Sequence, residues 1–404
     1  MKLIQRNDYV QWLNKYRDKQ VIKVVTGLRR VGKSKIFELY IEELKVSGVS
    51  AEQIVLINFE EMENAALKEK TALYQYIISK AQSDKMLYVF LDEIQAVPQF
   101  EEVVDSLFVK PNIDVYITGS NAKFLSSEIA TVLTGRYVEI NVLPLSFKEY
   151  CDHYASTGKD RRALFMDYIT YGAMPGMMMF ELGSSEQREY IEGVYKTILE
   201  KDVLKRNSNA SRQLVENILS YLMYNIGCLT TAKRMTDYIN SNTAKVSYNT
   251  VSSYFDTLQD CYFIYKADRY DVVGKEYLKL INKYYVTDFG FKYYILNNRM
   301  VEIPQILENL VFLELKRRRN KIATGKVDDK EVDFIVKDTT DQIKYIQVAA
   351  TVMEEEKLQQ ELRPFAEIRD NYPKYIITLD DYFVADHGGV KTINAIDFLL
   401  GEEI

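Results

Sequence analysis

Residues 26–35 read TGLRRVGKSK, and within them Gly27-x-x-x-x-Gly32-Lys33-Ser34 matches the spacing of a phosphate-binding loop. The glycines let backbone N–H groups turn inward around phosphate oxygens, and the helix that follows adds the positive end of its dipole. Lys33 would reach the β- and γ-phosphates, and the Ser34 hydroxyl would hold Mg²⁺. The expected ATP-binding residues are Gly27, Leu28, Arg29, Arg30, Val31, Gly32, Lys33, Ser34 and Lys35. Some 60 residues on, LYVFLDE is an apolar run ending in two acids. Asp92 would orient Mg²⁺ with Ser34, and Glu93 would polarise the attacking water. ATP and Mg²⁺ are therefore the expected ligands.

Two further positions complete the expected catalytic group of Glu93, Lys33, Ser120 and Arg136. The run IDVYIT leads into Gly119-Ser120-Asn121, where a polar side chain would sit beside the γ-phosphate. Thr118, Ser120 and Asn121 can all fill that role, with Ser120 preferred. A plain Gly-Ser-Asn turn is the alternative. Arg136, in LTGRYVEI after a helix-like segment, is the candidate arginine finger, acting in its own chain or on a neighbour. A surface salt bridge competes with that reading. Action on a neighbour requires an oligomer.

These residues need a scaffold that brings distant loops together. Short apolar runs at 21–26, 53–58, 86–91, 113–118 and 137–142 alternate with helical stretches. That rhythm predicts a parallel α/β sheet buried on both faces. Residues 1–150 are thus expected to form an α/β P-loop ATPase domain. Residues 151–300 read as mostly helical. Within them, about 212–295, TTAKRMTDYI and VSYNTVSSYFDTLQDCYFI followed by two short strands outline a winged helix. Residues 301–404 return to mixed strands and helices, so a third, α/β domain is expected there.

The combination VVTGLRRVGKSK, YVFLDEIQ, ITGSNAKFL and LTGRYVEINVLPLSFKEY resembles a widespread group of uncharacterised prokaryotic AAA+-type ATPases. In that group a C-terminal domain of unknown function, nuclease-like in fold, is fused to the ATPase. The resemblance implies an ATPase core, a winged-helix middle and a degenerate restriction-endonuclease-like end. Nucleases of the PD-(D/E)xK class hold Mg²⁺ with acids on adjacent strands and stabilise the phosphorane with a lysine. Here Asp333 in Glu331-Val332-Asp333 is the first candidate acid, and Glu308 or Glu314 would come from the preceding helix. Gln347 stands where a metal-binding glutamate is expected, and Ala349 where the lysine is expected. Neither substitute supplies the missing charge. An inactive or DNA-holding domain is the reading, against a working nuclease that recruits its lysine from elsewhere.

Two partner classes stay open, DNA through the winged-helix region or another protein. The chain carries a net charge of −6, which excludes a polycation that coats nucleic acid indiscriminately. Basic side chains outnumber acidic ones only within residues 151–300, so any nucleic-acid surface must be local. Polar side chains at Tyr248, Asn249, Thr250, Ser252 and Ser253 could meet bases or phosphates. The run Lys316-Arg317-Arg318-Arg319 fits a helix C-terminus as well as a phosphate contact. Three dispersed cysteines fit no metal or redox spacing, and no apolar run approaches the ~18 residues of a membrane span. A cytoplasmic protein with no membrane partner is the expectation.

Overall fold

The structure, a computed structural model, describes residues 4–122, 133–206, 211–242, 245–297 and 302–404. It forms two compact units, Met1–Leu143 with Asp260–Tyr262, and Pro144–Gln259 with Phe263–Ile404.

In the first unit, α1 (Asn7–Lys15) precedes β1 (Ile22–Gly27) and α2 (Lys33–Val46). There follow β2 (Ile54–Asn58), α3 (Lys70–Lys80), β3 (Leu87–Asp92), α4 (Phe100–Phe108), β4 (Ile113–Gly119) and β5 (Tyr137–Val142). All strand pairings are parallel, in the order β2-β3-β4-β1-β5. Each of the five apolar runs is a strand. The three inner strands are buried at every position, whereas β2 and β5 at the edges are not. A strand covered on both faces needs a continuous apolar run, which is why these segments show no polar alternation. Leu73 and Ile77 of α3 and Val103, Val104 and Leu107 of α4 close one face over Val89, Leu91, Val115 and Ile117. Because the strands are parallel, the C-terminal ends of β1, β3 and β4 lie along one edge. The chain skips from β4 across β1 to reach β5, making a topological switch at that edge.

The second unit begins with α5 (Phe147–Tyr154), α6 (Arg161–Tyr171), α7 (Ser185–Ile198) and α8 (Arg212–Tyr224). Next come β6 (Leu229–Thr230), α9 (Ala232–Asn242), α10 (Tyr248–Asp260), β7 (Ile264–Asp271), β8 (Glu276–Val286) and α11 (Phe289–Leu296). The remainder is α12 (Ile303–Arg317), β9 (Lys321–Val327), β10 (Lys330–Lys337), β11 (Ile343–Ala349), α13 (Glu355–Ala366), β12 (Lys374–Thr378), β13 (Val390–Asn394) and α14 (Ala395–Leu400). Its eight strands form one sheet, β13-β12-β11-β10-β9-β7-β8-β6. The hairpin expected to be a wing therefore does not stand free. On its outer side β7 pairs in parallel with β9, from Asp268↔Ala323 to Asp271↔Lys326.

Helix α12 is buried almost all round, including Leu307, Leu310, Val311, Phe312 and Leu315. Asn309 fixes its register against the sheet, accepting from the Val286 N–H at 2.8 Å and donating to the Val286 carbonyl at 3.0 Å. Phe312 stacks on Tyr285, ring centroids 4.2 Å apart. Alternate residues serve the other face, where Val332, Ile335 and Tyr345 pack with Phe365 of α13.

Candidate functional site

Gly27 ends β1 with φ +142°, and a Cβ there would lie 2.4 Å from the Val142 carbonyl oxygen. Only glycine fits the turn that starts the loop. Arg30 at φ 67° and Gly32 at φ 99° keep the loop curling, while fully buried Leu28 and Val31 anchor it. Gly32 is the N-cap of α2 and provides no side-chain cap, so the helix start faces the loop with its dipole. Lys33 is buried, and its ammonium donates to the carbonyls of Gly27 at 3.1 Å and Leu28 at 3.3 Å. That ammonium also lies 3.4 Å from a Glu93 carboxylate oxygen.

Asp92 is the buried last residue of β3. Its carboxylate accepts from the Thr118 hydroxyl at 2.6 Å, and the Ser34 hydroxyl is a second hydrogen-bond partner. Burial pushes its pKa up, opposed by those two hydroxyls. Glu93 sits in the left-handed region at φ 56°, with its N–H donating to the Thr118 hydroxyl oxygen at 2.8 Å. Its carboxylate accepts from Ser120 at 2.9 Å and from the Gln95 amide. Burial alone would raise its pKa, but the Lys33 ammonium and the Ser120 and Gln95 hydrogen bonds bring it below the ordinary carboxylate value. Glu93 is thus ionised at neutral pH.

The fold brings together Lys33 and Ser34 from the start of α2, Asp92 and Glu93 from the end of β3, and Thr118 and Ser120 from the end of β4. The hydroxyl–carboxylate pair of Ser34 and Asp92 is a hard oxygen donor set of the kind Mg²⁺ takes. Lys33, bonded to two carbonyls and paired with Glu93, is placed to exchange these for phosphate oxygens. Gln95 was not expected, and Thr118 was expected only as a candidate beside the γ-phosphate. Gln95 donates to Glu93 and lies 3.4 Å from the Ser120 hydroxyl, and Thr118 bonds both acids at once. The DEIQ spacing could have pointed to Gln95.

Other expected residues lie elsewhere. Lys35 points to solvent and pairs with Glu38 at 2.7 Å, so only its backbone belongs to the loop. Arg29 pairs with Glu60 at 3.0 Å while its charge also helps to lower the Glu93 pKa, and Arg30 is exposed. Arg136 immediately precedes β5, whose first residue Tyr137 is in register with Ile22, while the loop leaves β1 at Gly27, in register with Val142. At ~3.3 Å per residue it lies roughly 17 Å along the sheet from the loop, at the opposite edge. There Arg136 pairs with Asp105 and covers the Phe108 ring. Arg136 is therefore not brought to the loop of its own chain. The helix-like segment expected before it lies outside the described residues.

The second unit gathers a different cluster. Lys283 of β8, nearly fully buried, directs its ammonium at Glu308 (2.8 Å), Asp333 (3.3 Å) and Glu331. Tyr285 donates to the same Glu308 carboxylate at 2.7 Å. Gln347 uses both ends of its amide, accepting from the Asp333 N–H at 2.7 Å and donating to Glu361 at 3.1 Å. Burial, with Asp333 nearby, pushes both Glu308 and Glu361 up to about 7. Of the expected remnant, Glu308, Asp333 and Gln347 meet, but Glu314 does not. Six residues along a helix turn a side chain to the far side, and Glu314 pairs instead with Arg317 at 3.3 Å and Arg318 at 2.9 Å. Arg317 and Arg318 also donate to the carbonyls of Pro144 and Phe398, so the basic run is largely engaged within this unit. Lys283 and Glu361 were not expected. Among the described residues no group of three acids, histidines or cysteines is disposed to hold a metal.

Residues 19–151 match the model of an AAA domain, and residues 162–302 match a domain of unknown function, DUF8612. An uncharacterised protein of Haemophilus influenzae is 35% identical over 402 residues, spanning 98% of this chain and 99% of the relative. The uncharacterised protein MJ1544 of Methanocaldococcus jannaschii is 28% identical over 338 residues, covering 78% and 72% of the two chains. Among solved structures, the Walker-type ATPase PABY2304 of Pyrococcus abyssi superposes with a TM-score of 0.54 at 15% identity, over 73% of this chain and 96% of that one. At that identity the likeness speaks for the fold. No helix among the described residues is long and apolar enough to cross a membrane. The chain belongs to a family of AAA-type P-loop ATPases with an attached domain of unknown function, the family that includes this Haemophilus protein.

Proposed function

We propose that the chain binds and hydrolyses ATP at the C-terminal edge of the five-stranded sheet. The observation that carries this reading is the contact of Lys33 with Glu93 beside the Ser34–Asp92 pair. The loop amides and the start of α2 bind the triphosphate. Lys33 exchanges Glu93 for β- and γ-phosphate oxygens, and the released carboxylate polarises water. Ser34 and Asp92 would hold Mg²⁺, which would supply charge neutralisation to the bound triphosphate. Ser120 and Gln95 keep Glu93 oriented during the exchange, making this acid the point at which bound nucleotide is sensed. Through it, the nucleotide state governs how the chain engages DNA or a protein partner. The exposed row Tyr248, Asn249 and Ser253 on α10 is one surface for such a contact.

Phosphate release and fluorescent-nucleotide binding test the reading together. Lys33→Ala should lose both. Glu93→Gln should retain binding and lose turnover by roughly 10²–10⁴-fold. Turnover that survives in either variant would remove the site from this location.

An ATP-gated nuclease is the other reading of the chain, with Lys283 as the recruited lysine. The arrangement favours a structural cluster instead: the ammonium takes the place between carboxylates that a cation would need. Gln347 supports this too, because a glutamate there would face Glu361 without a proton to donate.

A further inference from the structure

One face of the eight-stranded sheet carries a groove of about 1070 Å³. That lies at the upper end of the ~300–1,000 Å³ range of small-molecule pockets. The floor is β9 and β10. On one side stand Tyr270 and Tyr277 of the β7–β8 hairpin, ring centroids 5.1 Å apart. On the other stand Tyr345 of β11 and Tyr372, 6.4 Å apart. Three strand spacings, ~14 Å, separate β7 from β11. Tyr277 and Tyr372 are 64% and 45% exposed, a poor use of large rings unless something covers them.

The groove reverses the charge of the chain. Lys275, Lys316, Lys321, Lys337 and Arg369 line it against only Asp268 and Asp370, in a protein of net charge −6. Both acids are engaged already. Asp268 pairs with Lys266 at 2.7 Å, and Asp370 accepts from the Tyr345 hydroxyl at 2.7 Å. On the floor, Lys321 and Lys337 are direct partners in the β9–β10 register. Like charges placed opposite each other cost stability. Exposed Asp341, which pairs with Lys337 at 2.9 Å, relieves this in part.

We propose that this groove binds single-stranded nucleic acid, with phosphates on the basic side chains and bases stacked on the exposed rings of Tyr277 and Tyr372. Cations alone would suit any polyanion. Exposed rings on both sides of a basic floor suit a strand whose base faces are open, which a duplex does not offer. An acidic peptide would use the charge and leave the exposed rings of Tyr277 and Tyr372 uncovered.

The test is fluorescence anisotropy of labelled oligothymidine with the full chain across a salt series, without ATP. Its outcome is therefore independent of nucleotide turnover, and either proposal can fail alone. Wild type should bind. Combined Lys275→Ala, Lys321→Ala and Arg369→Ala should lower the slope of log affinity against log salt by about 2 and weaken binding by tenfold or more. Tyr277→Ala with Tyr372→Ala should weaken binding about tenfold and leave the slope unchanged. Arg369→Glu alone, at an exposed position, is the second variant if the triple unfolds early, and should also weaken binding. No binding to oligothymidine, variants that bind like wild type, tighter binding to a duplex of equal length, or equal competition by polyglutamate would each overturn the proposal.

Discussion

A lysine on the inner face of a strand is easily read past. In NKYYV, Lys283 alternates with Tyr285, whose ring stacks on Phe312, so it shares a face with core side chains. The phosphate loop was legible because its glycines, lysine and serine are neighbours in the chain. Asp92 and Glu93 were legible because an apolar strand delivers them. Lys283, Glu308 and Glu361 meet only through sheet order and the seating of α12, which no local pattern encodes. As the counter-ion of Glu308, Glu331 and Asp333, Lys283 should be costly to remove. Lys283→Met is expected to lower stability to urea by about 3–5 kcal/mol, since it leaves buried carboxylates facing one another. A loss below ~1 kcal/mol would contradict a structural role and return the lysine to the nuclease reading.

Strand direction decides what Arg136 can do. All strands of the first sheet run the same way, so a residue that opens β5 is held away from loops that close β1, β3 and β4. We infer that any finger role is played on a neighbouring copy. Arg136→Ala should then bind ATP normally and hydrolyse it poorly. Mixing it with Glu93→Gln should restore part of the turnover, because one intact site with one intact arginine re-forms between unlike copies. Mixtures no more active than their components would refute this. At this scale the five parallel strands were readable as apolar runs. The sequence KIATGKV of β9 was not, having a glycine and few apolar residues, and neither was EYLKLIN at the start of β8. Pairing with β10 and β7 makes β9 a strand, and pairing with β7 extends β8, so tertiary context overrode local preference.

At the scale of the whole molecule, the acids that burial lifts to about 7 govern the pH dependence of stability. Burial pushes Asp288 up to about 7, against hydrogen bonds from the Ala173 and Gly290 N–H groups. Glu308 and Glu361 are likewise raised to about 7. Their unfolded values lie near 4, so between about pH 4 and pH 7 the folded chain holds the protons more tightly. Their stabilising share is complete below pH 4 and is lost as pH rises through 7. The thermal midpoint should therefore rise on acidification from pH 8 to pH 6, and Glu361→Gln should reduce that rise. A midpoint that falls equally in both proteins would contradict the buried-acid assignment. Residue 300 looked like a boundary between domains, yet β7 and β9, more than fifty residues apart, are neighbours in one sheet. During synthesis the hairpin must wait, with an open edge, until residue 327 has left the ribosome. An edge held open that long invites pairing with another chain. A fragment cut at residue 300 would keep that edge for good, and should be collected from the insoluble fraction.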